Sequence, residues 1–315
     1  MIKSIIVTPY NPEWPRMFEA EATNIKQALG KNCLAVHHVG STAVPELSAK
    51  PKIDIIAVVK DPTTINTALE KLGYEYRGEF NIPMHYGFNK RGKTDVNLHV
   101  YEEGNPEIEL NLLFRNYLRN HPEIRDEYTR LKEDLLKNSA SHEKANSMFT
   151  GYNLGKDAFI RKVLQAAHFS KVRILRCTHY AEWDVAKKLR EQYFFGPIGI
   201  ADPYTWTFDH KDHLHVILYH GVEMIGYAHI QLWPNYRSAL RILVIDQPYQ
   251  QHGLGSKFLH LCERWLKKLG IRSLHDEARP SSVAFYRKNG YVEMPFDEPS
   301  GEPPSAQDVA MGKIL

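Results

Sequence analysis

Between residues 240 and 269 the chain passes from an almost wholly apolar run, Leu240 to Ile245, through the turn Gln250-Gln251-His252-Gly253-Leu254-Gly255. It then enters a stretch that carries Phe258, Cys262, Trp265 and Leu269 on one helical face, closed by Gly270. A buried strand, a glycine turn and an amphipathic helix in that order commit this half to layered α/β packing, because the strand needs cover on both faces. The turn also has a chemistry. Unpaired N–H groups and the helix dipole favour an anion at a helix start, and glycine lets phosphate oxygens reach the backbone. Glycine serves equally well in a turn that only connects two elements, so the hexapeptide alone leaves both readings open.

The rest of this half is consistent with such a fold. Val172 to Cys177 reads as a strand, and Trp183, Ala186, Leu189 and Tyr193 as one side of a helix. Leu214, Val216 and Leu218 alternate up to His220-Gly221, and Ala228, Ile230 and Leu232 alternate after it, as in an antiparallel hairpin. The order is helix, hairpin, strand, helix, strand, helix, with Pro295 to Pro304 as a surface loop.

The first half has periodicities of its own. Phe18, Ala22, Ile25 and Leu29 mark a helix that Gly30 stops, Cys33 to Val39 and Ile53 to Val59 are strands, and Ile65, Leu69 and Leu72 mark a helix ended by Gly73. From Thr94 to Tyr101, Val96, Leu98 and Val100 share one strand face, and Asp95, Asn97 and His99 the other. Helical spacing returns with Ile124, Tyr128, Leu131 and Leu135, and again from Lys156 to Ala167. A length of 315 residues exceeds what one core usually supports. Two domains are expected, residues 1–169 and 172–315, meeting at Phe169-Ser170-Lys171.

Bulk properties narrow the function. A formal net charge of +3 gives no reason to expect nucleic acid as a partner. No apolar run has the roughly 18 residues of a membrane span, and Met1-Ile2-Lys3-Ser4 does not lead into a signal-peptide core, so no membrane is expected and the location is expected to be cytoplasmic. Cys33, Cys177 and Cys262 lack CxxC spacing and are expected as free thiols. His210, His213, His215 and His220 are expected as exposed hairpin residues rather than a zinc site, and the neighbours His37 and His38 point to opposite strand faces. Nothing in the pattern speaks for an oligomeric state.

Leu243-Val244-Ile245-Asp246-Gln247-Pro248-Tyr249, followed by Gln250-x-x-Gly253-x-Gly255, resembles the acetyl-CoA motif of the GNAT acetyltransferases. Ala278-Arg279 and Phe285-Tyr286-Arg287-Lys288-Asn289-Gly290-Tyr291 resemble the late segment of the same superfamily. The resemblance covers residues 172 to 315 and implies acetyl-CoA as cofactor. By it, backbone groups of Leu243 and Ile245 pair with pantetheine where two strands splay. The segment Gln250, Gln251, His252, Gly253, Leu254, Gly255 and Ser256 holds the pyrophosphate, through the amides of Gln251, Gly253, Gly255 and Ser256. Tyr286 is then the general acid that reprotonates the CoA thiolate; a core tyrosine with a satisfied hydroxyl is the other reading. Gln251 stands where the family usually has Gly and His252 where it has a basic residue, which implies a weaker or pH-dependent phosphate grip. The family's base has no fixed place. Glu277 and Asp308 are candidates, each equally readable as a solvated carboxylate. The acceptor is expected to be a primary amine of a small molecule or peptide, met by variable side chains such as Tyr204, Trp206 and Trp233, and no metal is expected in this domain.

Near the start, His38-Val39-Gly40-Ser41-Thr42-Ala43-Val44-Pro45 precedes Lys50-Pro51-Lys52-Ile53-Asp54-Ile55. A Gly-Ser turn ahead of an acidic residue on a buried strand is what nucleotidyltransferases use to hold a nucleotide phosphate and its divalent metal. This segment resembles the GrpB family, with Asn97-Leu98-His99-Val100, Phe114-Arg115-Asn116-Tyr117-Leu118, Tyr128 with Leu131-Lys132, and Tyr152 to Ile160 as further matches. Over about residues 5 to 167 it implies a nucleotidyltransferase-like fold. Gly40, Ser41, Asp54, Asp95 and His99, with Asn97 beside them, are the candidate ligand site, for a nucleotide and Mg2+. Ile56 occupies the position where a second metal-binding carboxylate would stand, which leaves Asp54 as a thin cation site and favours binding without transfer.

The expected whole is an α/β (α+β) chain, a nucleotidyltransferase-like mixed-sheet domain followed by a GNAT acyl-CoA N-acyltransferase domain. Its expected function is N-acetyl transfer, with an N-terminal domain that binds a nucleotide or phosphorylated ligand. The alternatives are a non-catalytic CoA- or nucleotide-sensing protein and a bifunctional enzyme with active nucleotidyl transfer.

Overall fold

The computed structural model describes residues 5–145, 148–301 and 305–315. The Met1–Ser4 start and residues 302–304 of the Pro-rich loop lie outside the described residues. Packing divides the chain into two compact units, Met1–Lys171 and Val172–Leu315.

The first unit runs α1 (Trp14–Leu29), β1 (Cys33–Val39), β2 (Lys52–Val59), α2 (Asn66–Lys71), β3 (Glu75–Gly78), β4 (Tyr86–Lys90) and β5 (Asp95–Glu102). Four helices follow, α3 (Pro106–Asn120), α4 (Pro122–Lys137), α5 (Gly151–Leu154) and α6 (Asp157–Ala166). The sheet order is β1-β2-β5-β4-β3. Only β2 and β5 pair in parallel, which requires the crossover through α2 and the β3–β4 hairpin.

The buried stripe of α1, Trp14, Phe18, Ala22, Ile25 and Leu29, packs on Ile53, Ile55, Ala57 and Val59 of β2 and on Val96, Leu98 and Val100 of β5. On the other face Ile56 and Val58 join Val39 and Tyr101 under Ile108 and Leu112 of α3. Both faces of β2 are therefore covered, which is why Ile55 to Val59 is apolar without a break. A smaller core of Val44, Leu47, Leu118, Tyr128, Phe159 and Val163 ties the helices to the turn after β1. Strands β3 and β4 and helix α3 were not among the expected elements. β3 is an exposed edge strand with no alternation to read, and α3 is set by local chemistry, Pro106 in its first turn and the Asn105 side chain accepting from the Glu107 N–H at 3.0 Å.

The second unit runs β6 (Val172–Arg176), α7 (Tyr180–Arg190), β7 (His213–His220), β8 (Glu223–Trp233), β9 (Arg237–Ile245), α8 (Leu254–Lys268), β10 (Ser273–Ala278), α9 (Val283–Lys288), β11 (Val292–Glu293) and β12 (Val309–Ile314). Its sheet order is β11-β12-β10-β9-β8-β7-β6. All pairs are antiparallel except β9 with β10, which α8 connects.

Four expectations are corrected. Strand β7 is buried on both faces, and His213 and His215 lie inside rather than at the surface. Helix α7 stops at Arg190 and widens into a π-turn over Glu191–Phe195, so Tyr193 is off its inner stripe. Leu269 follows the end of α8 and is 43% exposed, while Phe258, Cys262 and Trp265 are fully buried. The C-terminal strand β12, which carries Gly312 within it, was not expected at all. Cys33, Cys177 and Cys262 are free thiols. Among the described residues no helix is long and apolar enough to cross a membrane.

Candidate functional site

In the second unit the two parallel strands separate. β10 pairs with β9 only from Ser273 to His275, opposite Arg237 to Ala239, and continues beside β12 alone. β9 continues beside β8 with a bulge at Arg241, where the register slips between His229 and Ile230. A wedge opens along Leu240 to Ile245. The Asp246 N–H bonds the Ile225 carbonyl at 2.8 Å on the β8 side, so the alternating backbone turns the groups of Leu243 and Ile245 into the wedge. The Ile245 carbonyl accepts from Gln250 Nε2 at 2.8 Å. Gln250 thus caps the wedge with its side chain and is not free to meet an anion with it.

Beyond the wedge lies the glycine turn. Asp246 accepts from the Gln247 N–H at 3.0 Å and from the Tyr193 hydroxyl at 2.7 Å, which fixes the start of the turn. Helix α8 takes its first backbone bond from the Lys257 N–H to the Gly253 carbonyl at 3.1 Å. The N–H groups of Leu254, Gly255 and Ser256 precede that bond and have no carbonyl one turn back, while Gln251 and His252 are exposed beside them. The two glycines serve different ends. Gly253 has φ +76° with nothing near a Cβ, so its dihedral is what requires glycine, whereas a Cβ on Gly255 would stand 3.3 Å from Cε2 of Phe285, so that glycine lets α8 approach α9. Gln251 has φ +64°, a conformation that glycine adopts without strain and a glutamine does not.

Tyr286 on α9 is buried, with its ring edge-on to Phe285 and Tyr291 at 5.2 and 5.3 Å between centroids. Burial pushes its phenol well above the usual range, and the neighbouring Asp276 carboxyl reinforces the rise. Asp276 is buried too. Desolvation pushes its carboxyl up to about 7, against the opposing effect of a hydrogen bond from Tyr286, and among the described residues its Oδ2 has no partner. Of the two expected base candidates, Glu277 accepts from the Ser305 N–H at 2.7 Å and lies 3.9 Å from Arg241, and Asp308 bears on Asp276 through its charge. The sequence signal for Asp276 was an acidic residue in the buried register of a strand, between Leu274 and Ala278.

Of the expected acceptor residues, Tyr204 and Trp206 are exposed, but Trp233 is buried against Phe296 at 5.0 Å. The histidines of β7 belong to a network ordered by Arg190, which is fully buried and bonds both oxygens of Asp202 at 2.6 and 2.8 Å. A guanidinium only donates. Tyr227 Oη therefore accepts from Arg190 at 3.1 Å and donates to His215 Nδ1 at 2.6 Å, which leaves the His215 Nε2–H for the Thr207 carbonyl at 3.0 Å. Burial lowers His213 and His215 to about 4, so both are neutral at pH 7.

In the first unit, Gly40 has φ +69° and opens the turn Ser41–Ala43 directly against Asp54, which pairs with Val39 across the β1–β2 ladder. Asp54 Oδ1 accepts from Asn97 Nδ2 at 2.8 Å. Burial raises the Asp54 carboxyl above the usual carboxylate range, while the Asn97 bond and the charges of Lys156, Lys52 and Lys50 oppose the rise. The turn is held from α3, where Arg115 donates to the His38 carbonyl at 2.7 Å and Arg119 to the Ala43 carbonyl at 2.8 Å. Asp95 and His99 share a strand face with Asn97 but have partners of their own. Asp95 lies 3.9 Å from Arg91, and His99 bonds His85 at 2.9 Å and is lowered to about 4 by burial. Ile56 is fully buried, with no carboxylate in its place.

Three lysines complete this site. Lys50 and Lys156 place Nζ 4.3 and 4.8 Å from the Tyr152 ring centroid, and Lys132 lies over Tyr128 at 4.6 Å with Ser41 Oγ 3.5 Å away. Lys132 and Tyr152 stood in the segments that resemble the GrpB family. What was missing was the helical packing that turns them toward Asp54.

A family model described as GrpB protein matches residues 4–166, and one described as acetyltransferase (GNAT) family matches residues 181–291. A UPF0157 protein of Halalkalibacterium halodurans is 39% identical over 168 residues, 52% of this chain and 83% of that protein. The UPF0157 protein YqkA of Bacillus subtilis is 37% identical over 163 residues, 50% of this chain, and the match spans 46% of that protein's length. The crystal structure of the conserved protein GrpB from Enterococcus faecalis is 39% identical and covers 51% of this chain and 96% of its own, with a TM-score of 0.46.

Proposed function

We propose, for a chain that belongs to the GrpB family and carries a second domain of the acetyltransferase (GNAT) family, that it transfers the acetyl group of acetyl-CoA to a primary amine of a small molecule or peptide. One observation carries this reading: the wedge between β9 and β10 leads into the turn before α8. The wedge edge at Leu243 and the Ile245 N–H, short of the Ile245 carbonyl that Gln250 caps, fits a pantetheine arm, which pairs as a strand would, and the amides from Gln251 to Ser256 fit a pyrophosphate. Acetyl-CoA supplies an activated thioester. The amine nitrogen, once deprotonated, bonds the acetyl carbon, the carbon–sulfur bond breaks, and the sulfur accepts a proton.

Tyr286 is the residue assigned in this reading to give that proton. Its hydroxyl lies against Asp276, whose carboxyl titrates near neutrality and can return the proton when it is in the acid form. The first unit, in this reading, binds a nucleotide or another phosphorylated ligand at Gly40, Ser41 and Asp54. Binding without nucleotidyl transfer is favoured by Ile56, because one strand carboxylate neutralises transition-state charge poorly. The test of acetyl transfer is to incubate the full chain with acetyl-CoA and a panel of amines and polyamines and follow free thiol. Amine-dependent thiol release supports it. Absence of acetyl-CoA binding by calorimetry overturns it.

A further inference from the structure

We propose that the cup around Asp54 binds the phosphates of a di- or triphosphate through Lys50, Lys132 and Lys156, without a divalent cation. The inference rests on the reading that the first unit takes a phosphorylated ligand, and deepens it. The three ammonium groups come from separate segments: Lys50 from the loop before β2, Lys132 from α4, and Lys156 from the turn before α6. They meet around Tyr128 and Tyr152, two rings whose hydroxyls burial keeps protonated. Ser41, at the turn held against Asp54, hydrogen-bonds Tyr128 and lies next to Lys132.

Charge is out of balance there. Among the described residues none of the three lysines enters an ion pair, and the carboxyl whose charge acts on Lys50 and Lys156, Asp54, is already bonded to Asn97. Lys132 donates one proton to the Ser48 carbonyl and a second, at 3.5 Å, to Ser41 Oγ, and keeps one. Buried ammonium groups with too few counter-charges are costly to the empty protein, and a polyphosphate supplies the missing charge along with acceptors for every free donor. The cost is visible. Burial first, then Lys156, lowers Lys132 to about 7, and burial and Lys50 lower Lys156 to about 8. A site that used a metal would need oxygen ligands. Here Ile56 fills the second carboxylate position, and among the described residues no group of three metal-ligating side chains forms.

A bound anion raises the lysines, so binding takes up protons and weakens as pH rises from about 6.5 to about 8.5. The other titratable and charged groups that face the cup are Asp54 and Lys52 of β2, Glu133 of α4, and the phenols of Tyr128 and Tyr152. Calorimetry on the full chain with inorganic pyrophosphate and with ATP, each in EDTA and in excess magnesium, tests the inference. Expected are binding in EDTA, a heat that varies with the buffer's ionisation enthalpy, and affinity losses of about tenfold or more for Lys156→Gln and Lys50→Gln. Lys162→Gln, on the surface beside Glu127, serves as the control and should bind as the parent does. Lys132→Met is included only if its melting curve shows a folded protein. Binding that requires magnesium, or that survives both Lys50 and Lys156 variants, overturns the lysine site and spares the phosphorylated-ligand reading. No binding of either compound under any condition overturns both.

Discussion

A Cβ on Gly40 would stand 3.0 Å from both Cβ and Cγ of Asp54, and closer still to its carboxylate oxygen. The Gly-Ser turn is thus seated on the acidic residue and sets where its carboxylate points. Gly40→Ala meets both this clash and a φ of +69°, and is expected to destabilise the first unit by roughly 2–4 kcal/mol. Gly30→Ala is the comparison. Its φ is +53° with open space around it, so it should cost about 1 kcal/mol, and equal melting temperatures for the two variants would show that the contact with Asp54 is unimportant.

Tyr286→Phe should lower turnover about a hundredfold or more and leave acetyl-CoA affinity nearly unchanged, because the ring still packs on Phe285 and Tyr291. Pre-steady-state rates separate chemistry from product release. Near-full rates in the chemical step would remove Tyr286 from the mechanism.

Asp276 makes stability fall with rising pH. Its folded pKa, about 7, lies above that of an unfolded aspartate, so the folded state holds the proton more tightly and loses that advantage as pH climbs through 7. Asp276→Asn should therefore stabilise the chain at about pH 8, by up to about 4 kcal/mol at 1.36 kcal/mol per unit, and by almost nothing near pH 4. Melting curves at the two pH values decide it. A variant equally stable or less stable than the parent at the higher pH would mean that Asp276 is already comfortably ionised.

Gln251 and Gly253 test the turn before α8. Gln251→Gly relieves a left-handed glutamine and should hold or raise stability by up to about 1 kcal/mol without weakening acetyl-CoA binding. Gly253→Val should weaken that binding several-fold. The reason differs from the one the sequence suggests: the space beside Gly253 is open, and it is the φ of +76° that a branched residue resists. If the valine variant binds acetyl-CoA as the parent does, the pyrophosphate lies elsewhere.

What was legible without the structure was local. The stripe of α1, the alternation of β5, the covered run of β2 and the glycine turn before α8 repeat at helix or strand periods, and one segment of chain carries each of those signals whole. Gly40, Asp54 and Asn97 were named from their own segments, and the ladder β1-β2-β5 brings them side by side. Tertiary packing decided the rest. His213 and His215 are inside because β7 is covered on both faces, a condition that alternation along β7 cannot express. Asp276 meets Tyr286 because α9 folds back toward β10, and Lys50, Lys132 and Lys156 converge only when α4 and the turn before α6 pack against the segment between β1 and β2. Periodicity tells which face of a segment is apolar. Which charged groups end up sharing one desolvated space depends on contacts between distant segments, and those exist only in the folded chain.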